Sequence, residues 1–334
     1  MAPARQTRPA KPRVVVTRRL PSPVEARLAE LFDTGFPAGD TPMSPADLRA
    51  AIGDCDVLVP TIVDRIDADA IAAAGERLGL IANFGNGVDH IALKAARARG
   101  IVVTNTPGVL TDDAADMAMA LILAVPRRLV EGERLAQSGE WRGWSPCSML
   151  GHRISGRTLG ILGMGRIGRA VARRARGFGL SIRYHNRRRL PIVIEQELGA
   201  TYEPSLAALL AASDIFSIHC PLTPETDGLI DAGALALLGA HGHLINIARG
   251  EIVDEAALAD ALDGGVIAGA GLDVFDREPA IDARLLHRDD VLLLPHMASA
   301  THEAREAQGA RVIANIRSWA DGHPCPDQVL EGWA

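Results

Sequence analysis

The sequence predicts an α/β protein of two domains, each built on a parallel β-sheet. Three observations carry that prediction. The 334 residues exceed the usual size of one domain and suggest about two. Short apolar runs alternate with helical patterns along nearly the whole chain, as repeated strand–helix–strand units require. A Gly-x-Gly-x-x-Gly turn at Gly163, Gly165 and Gly168 sits between a strand pattern and a helix pattern.

The elements follow in order. Residues 1–12 read as a solvated tail, because Pro3, Pro9 and Pro12 break any regular structure there. The first 24 residues hold six basic and no acidic side chains, but the prolines argue against an organelle-targeting helix, so a cytoplasmic location is expected. A strand is expected at 13–17 and a helix at 23–32. Ser44 and Pro45 then mark a helix start, as cap and first helical residue. Strands at 56–59, 78–83 and 101–103 complete a first block. A long helix begins at Thr111, with Asp112 and Asp113 in its first turn, where the helix dipole favours negative charge. Residues 139–154 read as a loop carrying Trp141 and Trp144. A second block has strands at 158–162, 181–185, 215–219, 243–248, 266–273 and 291–294, with helices at 166–178 and 254–262. A final helix spans 301–321.

Composition narrows the function classes. Hydrophobic residues make up 48% of the chain and charged ones 23%, an ordinary globular balance. The formal net charge of −6 argues against a nucleic-acid partner. No apolar run approaches the roughly 18 residues of a membrane span. Cys55, Cys147, Cys220 and Cys325 show no metal-ligand spacing, and no metal is expected.

The glycine turn has a physical reading. Gly163 permits a tight turn, Gly165 lets a pyrophosphate approach the backbone, and Gly168 lets helix and strand pack closely. The helix start at Arg166 and Ile167 then offers free N–H groups to the anion. A Rossmann-type dinucleotide site is the expectation. An NAD site usually ends its second strand in an acid that binds the ribose hydroxyls. This chain has Asn186-Arg187-Arg188-Arg189 there, and no acid until Glu195. Arginines would pair with a 2′-phosphate, so NADP is expected over NAD, with Asn186, Arg187 and Arg188 at the contact. NAD remains possible.

Further motifs stand in order: Asn105-Thr106-Pro107-Gly108, His219-Cys220-Pro221-Leu222-Thr223, Asn246-Ile247-Ala248-Arg249-Gly250, Asp273-Val274-Phe275 with Glu278-Pro279, and Pro295-His296. With the glycine turn, they make the chain resemble the D-isomer-specific 2-hydroxyacid dehydrogenases, in particular the glyoxylate/hydroxypyruvate reductase branch. The resemblance implies two Rossmann-like domains. The substrate domain is discontinuous (13–106 and 300–334), and the dinucleotide domain (107–299) is inserted into it. It implies a catalytic trio of Arg249, Glu278 and His296, and a homodimer.

The chemistry asks for those residue types. Reducing a small 2-oxo acid to the 2-hydroxy acid needs a carboxylate clamp, a proton and a hydride. The planar fork of Arg249 suits the clamp. His296 would give the proton, and Glu278 would orient its ring and favour the imidazolium. The resemblance further implies that Asn86 and Gly87 present N–H groups to the substrate, alongside Arg249 and His296. It places Thr111 near the cofactor phosphates, Cys220 beside the adenine, Asp273 on the nicotinamide carboxamide, and Ala248, Arg249 and His296 against the cofactor. Two alternatives stay open: a phosphoglycerate or other D-2-hydroxyacid dehydrogenase using NAD, and a dinucleotide-sensing corepressor on the same scaffold. A formate enzyme would carry Gln where this chain has Glu278.

Overall fold

A computed structural model describes residues 11–330. Most of the proposed tail, residues 1–10, lies outside them. The chain divides into two compact units. One comprises residues up to Leu110 together with those from Thr301, and the other is Thr111–Ala300. Both sheets are wholly parallel.

The first unit holds β1 (Arg13–Val16), α1 (Ser22–Leu31), β2 (Asp33–Gly35), α2 (Pro45–Gly53), β3 (Val57–Val59), α3 (Ala68–Ala72), β4 (Leu80–Ala82), α4 (Leu93–Ala98) and β5 (Val102–Thr104). Its sheet order is β2-β1-β3-β4-β5. Side chains alternate between two apolar layers. Val57, Val59, Leu80 and Ala82 pack with α1 and the C-terminal helix residues Val312, Ile316 and Trp319, while Leu58 and Ile81 pack on the other face with Ile52 and Ile71. Burial on both faces is what a parallel sheet requires. Ser44 caps α2 by accepting the Asp47 N–H at 3.2 Å.

The second unit holds α5 (Thr111–Ala124), α6 (Leu129–Ser138), β6 (Thr158–Leu162), α7 (Arg166–Gly177), β7 (Ser181–His185), α8 (Ile192–Leu198), β8 (Ala200–Tyr202), α9 (Leu206–Ala211), β9 (Ile215–Ile218), α10 (Ala232–Leu238), β10 (His243–Asn246), α11 (Glu255–Asp263), β11 (Gly269–Leu272) and β12 (Val291–Leu293). The sheet order β12-β11-β10-β9-β6-β7-β8 reverses direction between β9 and β6. Such a switch point is where open α/β sheets receive ligands, at the carboxyl ends of the strands. The last helix, α12 (His302–Ala320), returns to the first unit.

Six of the ten expected strands end one or two residues early, where the chain turns into the following loop, and β5 ends one residue beyond its expected limit. α5 begins at Thr111, the expected start of the long helix. No helix among the described residues is long and apolar enough to cross a membrane.

Candidate active site

The glycine turn follows β6 directly and opens α7. Gly163 has φ +94°, and a Cβ there would stand 2.5 Å from the Cys220 amide nitrogen. A Cβ on Gly168 would lie 2.2 Å from the Gly163 carbonyl oxygen. Neither position tolerates a side chain. Gly165 is different: nothing lies within 4 Å of its would-be Cβ, so the backbone there faces open space. α7 starts at Arg166 with no side-chain cap, which leaves the Arg166 and Ile167 N–H groups for an anion. The cradle fits a dinucleotide pyrophosphate.

At the end of β7, the Asn186 Oδ1 accepts the Met164 N–H at 2.9 Å. Asn186 therefore braces the turn with its carbonyl and keeps only its amide donors for a ligand. Arg189 is committed elsewhere, in a two-pronged pair with the buried Glu195 at 2.8 Å. The Tyr184 hydroxyl also donates to Glu195, and this donor set holds its carboxyl down at about 2. Arg187 and Arg188 are exposed and make no ion pair among the described residues. Cys220 follows β9, and burial pushes its thiol up to about 12, so it is not a thiolate near neutrality.

The trio sits on three loops at one edge of the second sheet. His296 adopts the left-handed conformation, φ +52°. Its Nδ1 lies 2.8 Å from Glu278 Oε2. Glu278 Oε1 accepts the Phe275 N–H at 3.1 Å, so both carboxylate oxygens are fixed. Burial raises the Glu278 carboxyl. The His296 hydrogen bond and charge, the Phe275 N–H and the Arg249 charge outweigh it and hold the group below its ordinary value. An ionised carboxylate only accepts, so Nδ1 carries a hydrogen and Nε2 is the ring atom left for proton exchange.

Arg249 follows β10 and belongs to the same electrostatic field. A Cβ on its neighbour Gly250 would stand 1.9 Å from the Phe275 carbonyl carbon, so that glycine lets the Arg249 turn press against the strand-end loop leading to Glu278. Asn246 shapes the turn from within: its amide donates to the Arg249 carbonyl at 2.8 Å, and its Oδ1 accepts the Ala248 N–H at 3.0 Å.

Asp273, expected on the nicotinamide carboxamide, is wholly buried. Its two oxygens accept the Met297 and Ala298 N–H groups at 2.7 and 2.8 Å, and its own carbonyl accepts the His296 N–H at 2.8 Å. In the structure it fastens the turn that displays His296. Thr111 is partly exposed at the start of α5. Asn86 and Gly87 lie in the first unit, on the loop after β4, and both are partly exposed. Sequence reading gave no role to Asn246, Gly250, Asn83 or Asn105. Two of these asparagines stand inside motifs already singled out, and all three close an observed strand or directly follow one.

A doubly wound parallel sheet with a glycine cradle at its switch point defines a dinucleotide-binding protein. Residues 119–298 match the family described as D-isomer specific 2-hydroxyacid dehydrogenase, NAD binding domain. A glyoxylate reductase from Korarchaeum cryptofilum is 45% identical over 321 residues, covering 96% of each chain. A glyoxylate reductase from Thermococcus onnurineus is 43% identical over 323 residues, again 96% of each. Among solved structures, the NADPH-dependent glyoxylate/hydroxypyruvate reductase from Sinorhizobium meliloti in complex with NADP and malonate is 40% identical, with a TM-score of 0.84 over 96% of this chain and 97% of that one. The chain belongs to the D-isomer-specific 2-hydroxyacid dehydrogenase family, and its cofactor is a nicotinamide dinucleotide.

Proposed function

We propose that the protein reduces a small 2-oxo acid of the glyoxylate and hydroxypyruvate type to the 2-hydroxy acid, with NADPH preferred over NADH. The observation that carries the reading is the fixed His296–Glu278 pair at 2.8 Å, with the Arg249 charge beside it. When bound, the reduced nicotinamide supplies the hydride. Arg249 engages the substrate carboxylate and carbonyl oxygen, drawing electron density toward that oxygen. His296 Nε2 gives its proton to the oxygen as the carbonyl becomes the alcohol. Glu278 keeps the ring oriented through that transfer. In oxidation the same nitrogen takes the proton back. Asn86 and Gly87 add backbone N–H groups to the carboxylate.

The cofactor preference rests on the end of β7. No carboxylate directly follows β7 to repel a 2′-phosphate, though the Arg187 charge helps hold the Glu225 carboxyl below its ordinary value. Arg187 and Arg188 make no ion pair among the described residues, and Asn186 has spent its acceptor on Met164. Each charged hydrogen bond is worth about 1.5–3 kcal/mol, about tenfold or more in preference per contact. The same reading makes the protein a homodimer. Trp141 and Trp144, 60% and 84% exposed, together with an α6 that buries no residue, offer an apolar surface for a second copy.

The deciding experiment follows NADPH and NADH oxidation over a panel of 2-oxo acids. Turnover of glyoxylate and hydroxypyruvate, faster with NADPH, is the expected result. No turnover of any 2-oxo acid with either cofactor would remove the proposal.

A further inference from the structure

The loop after β4 is held by side chains that have no part in the chemistry. Asn83 is 1% exposed, and its amide donates to the carbonyls of Gly85 at 3.1 Å and Gly87 at 2.8 Å. Asn105, 3% exposed, donates to the Asn86 carbonyl between them at 2.8 Å. The Thr106 N–H adds a second bond to the Gly85 carbonyl at 3.0 Å. Three successive carbonyls are thus drawn toward the buried amides. The Asn83 amide cannot be turned over, because its Oδ1 receives His90 Nε2 at 3.2 Å while its nitrogen serves two carbonyls. Gly85 makes room for it: a Cβ there would stand 3.2 Å from Asn83 Nδ2.

In a trans peptide, C=O and N–H point in opposite directions. The three peptides whose carbonyls face the amides therefore turn the N–H groups of Asn86, Gly87 and Val88 the other way. None of these three N–H groups meets an acceptor among the described residues. The result is a run of donors with their partial positive charge on one side, the arrangement that receives an anion.

We propose that Asn83 and Asn105 are positioning residues that fix the polarity of this loop, making it a preformed cradle for the substrate carboxylate and so setting the preference for oxo acids over uncharged carbonyl compounds. This rests on the reading that Asn86 and Gly87 bind the carboxylate. Neither asparagine touches the substrate. They act by keeping carbonyl oxygens, which would repel a carboxylate, out of the cradle.

The test compares glyoxylate with glycolaldehyde, which has a hydroxymethyl group where glyoxylate has its carboxylate, in the wild type, Asn83→Asp and Asn105→Ala. Asp at 83 cannot donate to the Gly85 and Gly87 carbonyls and repels them. Ala at 105 frees the Asn86 carbonyl. Each variant is expected to raise the KM for glyoxylate and the Ki for oxalate at least tenfold. kcat should stay within about threefold, with cofactor Kd and glycolaldehyde kcat/KM holding near wild type. A purely structural role would depress both substrates together, and that outcome overturns the proposal. So does an unchanged glyoxylate KM in either folded variant. Should Asn83→Asp fail to fold, Asn105→Ala decides alone. The underlying reading fails separately: it falls if the wild type itself shows no preference for glyoxylate over glycolaldehyde.

Discussion

Asn83 in the first unit and Asp273 in the second occupy the same kind of place and do opposite things. Each is buried and directly follows a parallel strand, β4 or β11. Asn83 donates to backbone carbonyls, whereas Asp273 accepts backbone N–H groups. Around Asn83 the loop's N–H groups are left facing away, suited to an anion. Around Asp273 the N–H groups are consumed, and what the loop displays is a side chain, His296. In these two loops the strand-end residue sets what is offered: the Asn83 amide leaves a backbone cradle, and the Asp273 carboxylate makes a mount for a side chain.

The largest test removes what the mount displays. His296→Ala should lower kcat by about 10²–10⁴-fold with cofactor Kd unchanged, measured by stopped-flow reduction and fluorescence titration. Near-normal turnover would count against His296 as the proton donor. Next comes the mount itself. In Asp273→Asn, an NH₂ group meets either the Met297 or the Ala298 N–H, leaving a buried donor unpaired at a cost of about 1–3 kcal/mol. kcat should fall about tenfold or more, and Tm should drop with it. The contrast with Asn83→Asp, expected in KM, is the point. If both variants change the same kinetic constant, the two edges are not doing different jobs.

Parts of this arrangement were legible in the sequence and parts were not. Strands β6 and β7 fall on their expected limits, 158–162 and 181–185, because apolar runs end there in a glycine turn or a polar cluster. The three-residue strands β2 and β8 lie at sheet edges and carry too little apolar pattern to be read. α6 was hidden because it begins after Arg128 in a left-handed conformation, with no side-chain cap to announce it. The trio came from the family resemblance, whose motifs each place a member after a strand. That Glu278 reaches His296, 18 residues away, is fixed only by the packing of β11 beside β12. The amide clamps were illegible for the same reason: Asn105 reaches Asn86 across 19 residues, from the neighbouring strand β5. Nor does the sequence signal that the Asp273 oxygens also accept the Met297 and Ala298 N–H groups, bonds that reach 24 and 25 residues along the chain.

A third strand-end residue sharpens the comparison with a smaller effect. Asn186 accepts from Met164 as Asp273 accepts from its own loop, but without charge. Asn186→Asp keeps the acceptor and adds an anion beside Arg187 and Arg188. NADPH kcat/KM should fall about tenfold or more, while NADH kcat/KM holds or rises. An unchanged ratio would mean that the charge at this strand end does not select the cofactor.

The smallest effect concerns His219, which follows β9 with Nε2 against the Ser217 hydroxyl at 2.8 Å and no partner for its buried Nδ1 among the described residues. Burial lowers its pKa to about 3, and burial likewise lowers His243, at the start of β10, to about 4. An unfolded histidine titrates near 6.5. Between these values the unfolded chain binds protons that the folded chain refuses. Stability is therefore complete above about pH 6.5 and declines as pH falls toward the folded values, by at most about 1.4 kcal/mol per pH unit for each ring. Glu278 and Glu195 do not contribute in the upper part of that window, since carboxyls held below their ordinary value lose stabilisation only as pH falls below about 4.5. Urea unfolding at pH 7.0, 6.0 and 5.0 should show the decline, and His219→Asn should flatten it by close to one proton. An unchanged slope would mean that His219 is protonated in the folded chain, unlike the neutral, buried strand-end group described here.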